Sequence, residues 1–328
     1  MAKPARMAAA EHAARSSKAA CRKKPQSCAH TGTSMADFSA SRGQYNTGRI
    51  LARCWTRLGS ITKSMLRQSQ GLSEKRVLVR EPEAQPNLSM WREAFVGVEL
   101  LLLHAAPVYY GIGIPRGDGS GVVLIPGFLA NDIYLMEMYA WLKRIGYRPY
   151  YSGIGMNADC PNLLISRRLN ETMEQALSET GKRVHLIGHS LGGIIGRSVA
   201  GSRPRDVASV VTLGAPFRGT AMHPRVKQLV DLVRGQILRD HEEKVLPDCY
   251  TSRCTCSFLD HLRKEIPAEV AETAIYTRTD GFVDWRYCMT ESPDNDFEVT
   301  GTHLGLVFNP AIYRIIAHRL ADPSSRPD

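Results

Sequence analysis

No apolar run in this 328-residue chain is long and clean enough to cross a bilayer. The best candidate, Ala94 to Ile114, carries Glu99 and His104 and is interrupted by Gly97, Pro107, Gly111 and Gly113. A charge inside a span is costly, and the Pro and Gly break the helix. The stretch reads better as an amphipathic helix from Trp91 to about Ala105, then an extended lead-in to Pro115, with contact at a lipid interface left open. No apolar segment of the secretory kind stands near the first residue, so a cytoplasmic location is expected. Cys-x-x-Cys pairs are also missing, which excludes the commonest zinc sites. The absence of any internal repeat excludes solenoids and propellers.

Acidic residues are scarce in one region only. Residues 1–90 hold 16 Lys and Arg against 5 Asp and Glu, whereas residues 91–328 hold 26 against 27. The formal net charge of +10 therefore belongs to the N-terminal segment and describes nothing of the remainder. That segment, rich in Ala, Arg, Ser and Lys, offers little apolar surface to bury and is expected to be disordered. A transit peptide fits its composition as an alternative. Its basic residues lack interleaved aromatics, so no nucleic-acid partner is expected. One globular domain over 91–322 and a short tail, 323–328, complete the expected organisation. Nothing in the sequence indicates an oligomeric state.

What the chain does have is Gly188-His189-Ser190-Leu191-Gly192, directly after the apolar run Val184 to Ile187 and directly before a helical pattern. A Gly-x-Ser-x-Gly between a buried strand and a helix is the nucleophile-elbow arrangement, in which a serine sits on a strained turn and flanking glycines let the backbone bend. Around it, strand and helix patterns alternate. Strands are expected at Val122–Ile125, Arg148–Ser152, Val184–Ile187, Val207–Leu213, Glu272–Thr277 and Phe297–Val299. Helices are expected at Asn131–Ile145, Pro161–Thr180, Leu191–Ala200 and Asn309–Leu320. This is the rhythm of a mostly parallel central sheet covered by helices on both faces.

Layout and motifs together resemble the α/β-hydrolase superfamily, in its lipase and esterase branch, from about Trp91 to Asp322. The likeness extends to uncharacterised bacterial hydrolases with Pro-Arg-Gly-Asp-Gly before the first core strand, Pro-Gly-Phe after it and Asn-x-Asp-Cys beyond the next helix. These stand here at Pro115–Gly119, Pro126–Phe128 and Asn157–Cys160. The resemblance implies an α/β-hydrolase fold and cleavage of carboxylic esters, lipid esters among them, through an acyl-Ser190 intermediate. Acyl transfer or thioester cleavage would use the same residues, and a binding protein that keeps the fold without the chemistry is the alternative outside enzymes. No cofactor and no metal is expected.

In this fold the acid and the base follow the nucleophile in the order Ser, Asp or Glu, His. His303, in a glycine-flanked loop after the last strand, is the candidate base; His318 lies on the closing helix, and His189 is a packing or hydrogen-bonding neighbour. Asp280 and Asp284 both follow the preceding strand. The resemblance favours Asp280 as the acid that orients the imidazole, with Asp284 bracing the loop. It also assigns the oxyanion hole to the backbone N–H groups of Leu191 and Phe128. Leu129, Met136 and Met156 fit either an acyl pocket or the core. Residues 219–267 interrupt the α/β rhythm with helical spacing over Val226–Ile237 and a short helix near Phe258–Leu262, which implies a small helical cap or lid. Cys249, Cys254 and Cys256, with His241 and His261 nearby, lack the spacing of common zinc sites. Disulfides to Cys160 or Cys288 are expected in an exported chain and free thiols in the cytosol.

Overall fold

Val122, Val123, Leu124 and Ile125 are all fully buried, as are most residues of the two strands beyond them. Burial on both faces is what a parallel sheet between two helical layers demands. The computed structural model describes residues 89–219 and 221–324. The expected N-terminal segment lies almost wholly outside the described residues, together with Cys21, Cys28 and Cys54.

A 3-10 turn, Met90–Phe95, leads into α1 (Val96–Ala105). There follow β1 (Gly121–Ile125), α2 (Met136–Ile145) and β2 (Arg148–Tyr151). The long helix α3 runs as Pro161–Leu164 and Asn170–Thr180, joined by a π-helical stretch at Ile165–Leu169. Then come β3 (Val184–His189), α4 (Leu191–Ser202), β4 (Val207–Leu213), α5 (Pro224–His241), α6 (Ser257–Leu262), β5 (Ala271–Tyr276), β6 (Asp296–Glu298) and α7 (Pro310–Ala321). The last helix starts on an Asn309 side chain that accepts the Ala311 N–H, with Pro310 at its first position.

The strands lie in the order β2-β1-β3-β4-β5-β6, and every neighbouring pair is parallel. The chain steps from β1 out to β2 and returns across it to β3, so the order reverses between β1 and β3. Ligands of open parallel sheets bind at the carboxyl ends of strands beside such a reversal. Alternate residues of each strand feed opposite cores. Val122, Leu124, Ile187 and Val211 meet Trp141 and Tyr313 on one face. Val123, Ile125, Leu186 and Val210 meet Met173, Ile195 and Phe258 on the other.

One expected element differs in kind. The Trp91–Ala105 helix begins as a 3-10 turn, and its polarity is inverted: Glu93 is buried, whereas Trp91, Phe95, Val98, Leu101 and Leu102 are each at least half exposed. The physical reason lies in what Glu93 and Glu99 bind, described below.

Candidate active site

Ser190 joins β3 to α4 with φ 51° and ψ −121°, a conformation that L-residues adopt only when their surroundings impose it. Here the packing imposes it. A Cβ on Gly188 would sit 2.3 Å from the Gly192 carbonyl oxygen, and one on Gly192 would sit 2.2 Å from that of Ile125. Only glycine fits either place. The Ser190 N–H donates to the Leu213 carbonyl of β4 at 2.8 Å, which ties the turn to the neighbouring strand.

Across the carboxyl ends of β5 and β6, the His303 Nδ1–H donates to Asp280 Oδ2 at 2.6 Å. Both side chains are almost completely buried. Asp280 Oδ1 accepts the Phe282 and Val283 N–H groups at 2.8 Å each, so the carboxylate is fixed on both oxygens. With Nδ1 committed, Nε2 is the nitrogen left for proton exchange. The His303 ring lies 4.9 Å, centroid to centroid, from that of His189, the residue before the nucleophile. Asp284 takes no part in this pairing. Its oxygens are held by the backbone N–H, Nε and Nη2 of Arg286, and it caps the turn Trp285–Tyr287.

His189 Nε2 donates to the His303 carbonyl at 2.9 Å. A carbonyl can only accept, so Nε2 carries the proton, and Nδ1 finds no partner among the described residues. Burial, with the charge of nearby His303, pushes His189 down to about 3, which leaves it neutral. His303 moves the other way. Burial alone would lower it, but the charge and hydrogen bond of Asp280, with the charge of Glu93, outweigh burial and raise it above the usual 6.5. The base form exists only once that proton has left. For an ester without titrating groups, kcat/KM is expected to fall on an acid limb whose midpoint lies above 6.5. A pH–rate profile flat through that value would contradict the assignment.

Leu191 is the first residue of α4, where a backbone N–H has no partner inside the helix and the dipole favours negative charge. The loop carrying Phe128 is held by Asn157, a fully buried residue. Asn157 Nδ2 donates to the Pro126 carbonyl at 2.8 Å, its carbonyl accepts the Leu129 N–H at 2.9 Å, and its N–H donates to Ala130 at 2.8 Å. This role for Asn157 is invisible in the sequence beyond its place in the Asn-x-Asp-Cys motif.

Ser190, Leu191 and Phe128 open onto a pocket of about 190 Å³ whose far wall comes from the insertion: Val226 and Val230 of α5 and Phe258 of α6. The two inserted helices differ. The Phe258 carbonyl accepts from Ser198 Oγ at 2.8 Å and the Leu262 carbonyl from Arg197 at 2.7 Å, so α6 is bolted to α4 and belongs to the body. By contrast α5 exposes Leu229 and Leu232, and its last residue, His241, pairs with Asp159 at 2.8 Å. Leu129, Met136 and Met156 fill neither the pocket nor the core; they are 39%, 52% and 60% exposed.

The five cysteines of the described residues are free thiols. Cys160, Cys249, Cys254 and Cys256 border the pocket. A hydrogen bond between Cys160 and Cys249 lowers the first thiol and raises the second. Cys288 lies apart from these four, its thiol directed at the Asp284 carbonyl. Among the described residues no group of three or more His, Cys, Asp or Glu side chains could hold a metal ion.

A family model described as palmitoyl protein thioesterase matches residues 150–275, a range that holds Ser190 and both inserted helices but neither Asp280 nor His303. A triacylglycerol lipase of Burkholderia plantarii is 34% identical over 133 residues, covering 38% of this chain and 37% of that protein. One of Vibrio cholerae is 47% identical over 122 residues, covering 35% of this chain and 36% of that protein. The chain thus spans about a third of the length of the curated relatives it matches. A solved monoacylglycerol lipase of Paleococcus ferrophilus is similar over 64% of this chain and 97% of its own, at 16% identity and a TM-score of 0.42. That likeness is too distant to carry argument. An all-parallel sheet that presents a strained serine where β3 turns into α4, in a region that matches triacylglycerol lipases and a thioesterase family model, makes the chain similar to the lipase- and esterase-like members of the α/β-hydrolase superfamily.

Proposed function

We propose that the protein is a serine hydrolase that cleaves carboxylic esters of apolar acids through an acyl-Ser190 intermediate. The observation that carries this reading is the buried Asp280–His303 pair, packed against His189 next to an elbow serine that opens into an apolar pocket. Ser190 Oγ attacks the acyl carbon while His303 Nε2 takes the hydroxyl proton. The oxyanion is held by the Leu191 and Phe128 N–H groups, and collapse expels the alkoxide, which receives the proton from His303. Water, deprotonated by the same imidazole, then releases the acid. Asp280 keeps the imidazole in the tautomer this needs and stabilises its charged form.

A thioester substrate is the second reading, favoured by the match to the thioesterase family model over the pocket-bearing residues 150–275. A series of nitrophenyl esters and the matching thioesters, from short to long acyl chains, separates the two by relative kcat/KM. A fluorophosphonate that labels the wild-type protein but not Ser190→Ala supports either reading. A folded wild-type protein that resists the probe and leaves every ester intact overturns both and favours a non-catalytic binding protein.

We further propose that the apolar face around α1 meets an anionic lipid surface. Trp91, Phe95, Val98 and Leu101 recur at helical spacing and are half or more exposed, and the basic residues 1–90 precede them directly in sequence. Apolar burial and basic residues are the two signals that peripheral attachment combines. Among the described residues no helix is long and apolar enough to cross a membrane. Vesicles containing an anionic phospholipid are expected to co-sediment the full chain, and Leu101→Ser with Leu102→Ser is expected to reduce the bound fraction. An unchanged bound fraction would exclude this face.

A further inference from the structure

Asp280 and His303 sit on separate loops, and the 2.6 Å between them depends on both loops holding their places. A single side chain touches both. Glu93 Oε1 accepts the N–H of Gly281, next to the acid, at 2.9 Å and the N–H of His303 itself at 3.0 Å. Its Oε2 accepts the Leu304 N–H at 2.8 Å. Six residues on, Glu99 Oε1 accepts the Thr302 N–H at 2.7 Å and Oε2 accepts the Thr302 hydroxyl at 2.6 Å. That hydroxyl in turn accepts the Gly305 N–H at 2.9 Å.

We propose that Glu93 is a positioning residue for the catalytic acid and base, clamping the Asp280 and His303 loops together, with Glu99 securing the His303 loop from the adjoining turn. The inference rests on the triad reading above.

Three observations support it beyond the distances. Glu93 is 6% exposed, and among the described residues neither acid forms a salt bridge with Lys or Arg, so backbone N–H groups of the two catalytic loops satisfy a buried carboxylate. Room for the acids is built into the loops. A Cβ on Gly281 would stand 2.7 Å from Glu93 Oε1, and one on Gly305 would stand 1.5 Å from Glu99 Oε2. The arrangement also explains the inverted polarity of this segment, in which acids face inward and Trp91, Phe95 and Leu101 face out.

Glu93 also acts on the imidazole through its charge. The groups facing His303 are Asp280 after β5, Glu93 on the 3-10 turn, neutral His189 at the end of β3 with Ser190 beside it, and the Phe282 ring. Tyr134 closes the far side by donating to the Leu304 carbonyl at 2.5 Å. Removing the Glu93 charge disfavours the imidazolium, so His303 releases its proton at lower pH.

Glu93→Gln keeps the shape, removes the charge and sets an amide donor where one carboxylate oxygen accepted. It is expected to lower kcat by up to about a hundredfold, with KM little changed and the acid limb of kcat/KM moved to lower pH. Glu93→Asp retains the charge at shorter reach and should restore the limb while leaving kcat reduced. Wild-type kcat in Glu93→Gln, or a kcat loss with the limb unmoved and the melting temperature lowered, would overturn the proposal. If Glu93→Gln does not fold, Glu93→Asp decides: reduced kcat at an unmoved limb supports the clamp, and wild-type kcat refutes it. Failure of the triad reading is recognised separately, by a wild-type protein that neither turns over esters nor takes the fluorophosphonate.

Discussion

Ser190→Ala is expected to lower kcat on a nitrophenyl ester by roughly a millionfold, a loss of the size seen when a serine protease forfeits its nucleophile. The hydroxyl is the only group at the elbow that can form the acyl bond. His303, Asp280 and the oxyanion donors would survive the change, because the Gly188 and Gly192 contacts and the Leu213 hydrogen bond that shape the turn are backbone features. Circular dichroism and the melting temperature should therefore match the wild type. What activity persists should come from the oxyanion donors acting on bound ester with water as the attacking group. Activity within tenfold of wild type in a clean preparation would show that another residue performs the chemistry.

Asp280→Asn is expected to cost about ten-thousandfold in kcat, and Asp284→Asn far less. The reason is directional. Asp280 Oδ2 accepts the proton on His303 Nδ1, which leaves Nε2 as the basic nitrogen. An asparagine can present its NH2 group there, and a donor facing Nδ1 favours the tautomer with the proton on Nε2, where it blocks base catalysis. Asp284 is bound to Arg286 through both oxygens and touches neither His303 nor Ser190. Its replacement should lower the melting temperature, since a buried carboxylate that caps a turn and pairs with a guanidinium would be lost. Kinetics and thermal denaturation of the two variants, measured together, separate the roles. Turnover lost in Asp284→Asn and kept in Asp280→Asn would reverse the assignment.

The legible part of this protein was its periodic part. Continuous apolar runs such as Val122–Ile125 and Val207–Leu213 announce strands buried on both faces, and the glycines around Ser190 announce a turn between strand and helix. The sequence placed a base at His303 by chain order and offered two acids, but order cannot say which carboxylate meets the imidazole. That depends on where two loops point once β5 and β6 have paired. Of Glu93 and Glu99, only Glu99 draws notice in the sequence, as a charge that spoils a membrane span; Glu93 lies just outside that stretch. The same observation held a second meaning, because an acid within an apolar stretch must find donors, and here they are the N–H groups of loops some two hundred residues away. Asn157 escaped for a similar reason: three of its hydrogen bonds run to one loop that has no local pattern of its own. The insertion was visible as a break in rhythm. Its division into a fixed α6 and a more exposed α5 was not, since that rests on Ser198 and Arg197 of a helix far upstream in the chain.

On the proposed assignment, the order of strands also sets when the site can assemble during synthesis. β1, β3 and β4 can assemble as the chain emerges, but β5 and β6, with Asp280 and His303 behind them, follow them in the chain. A ribosome-bound chain that has reached β4 therefore lacks the acid and base proposed to serve Ser190, however well its elbow is formed. On the proposed assignment, the base takes its place when β6 docks beside β5, against the earliest described turn.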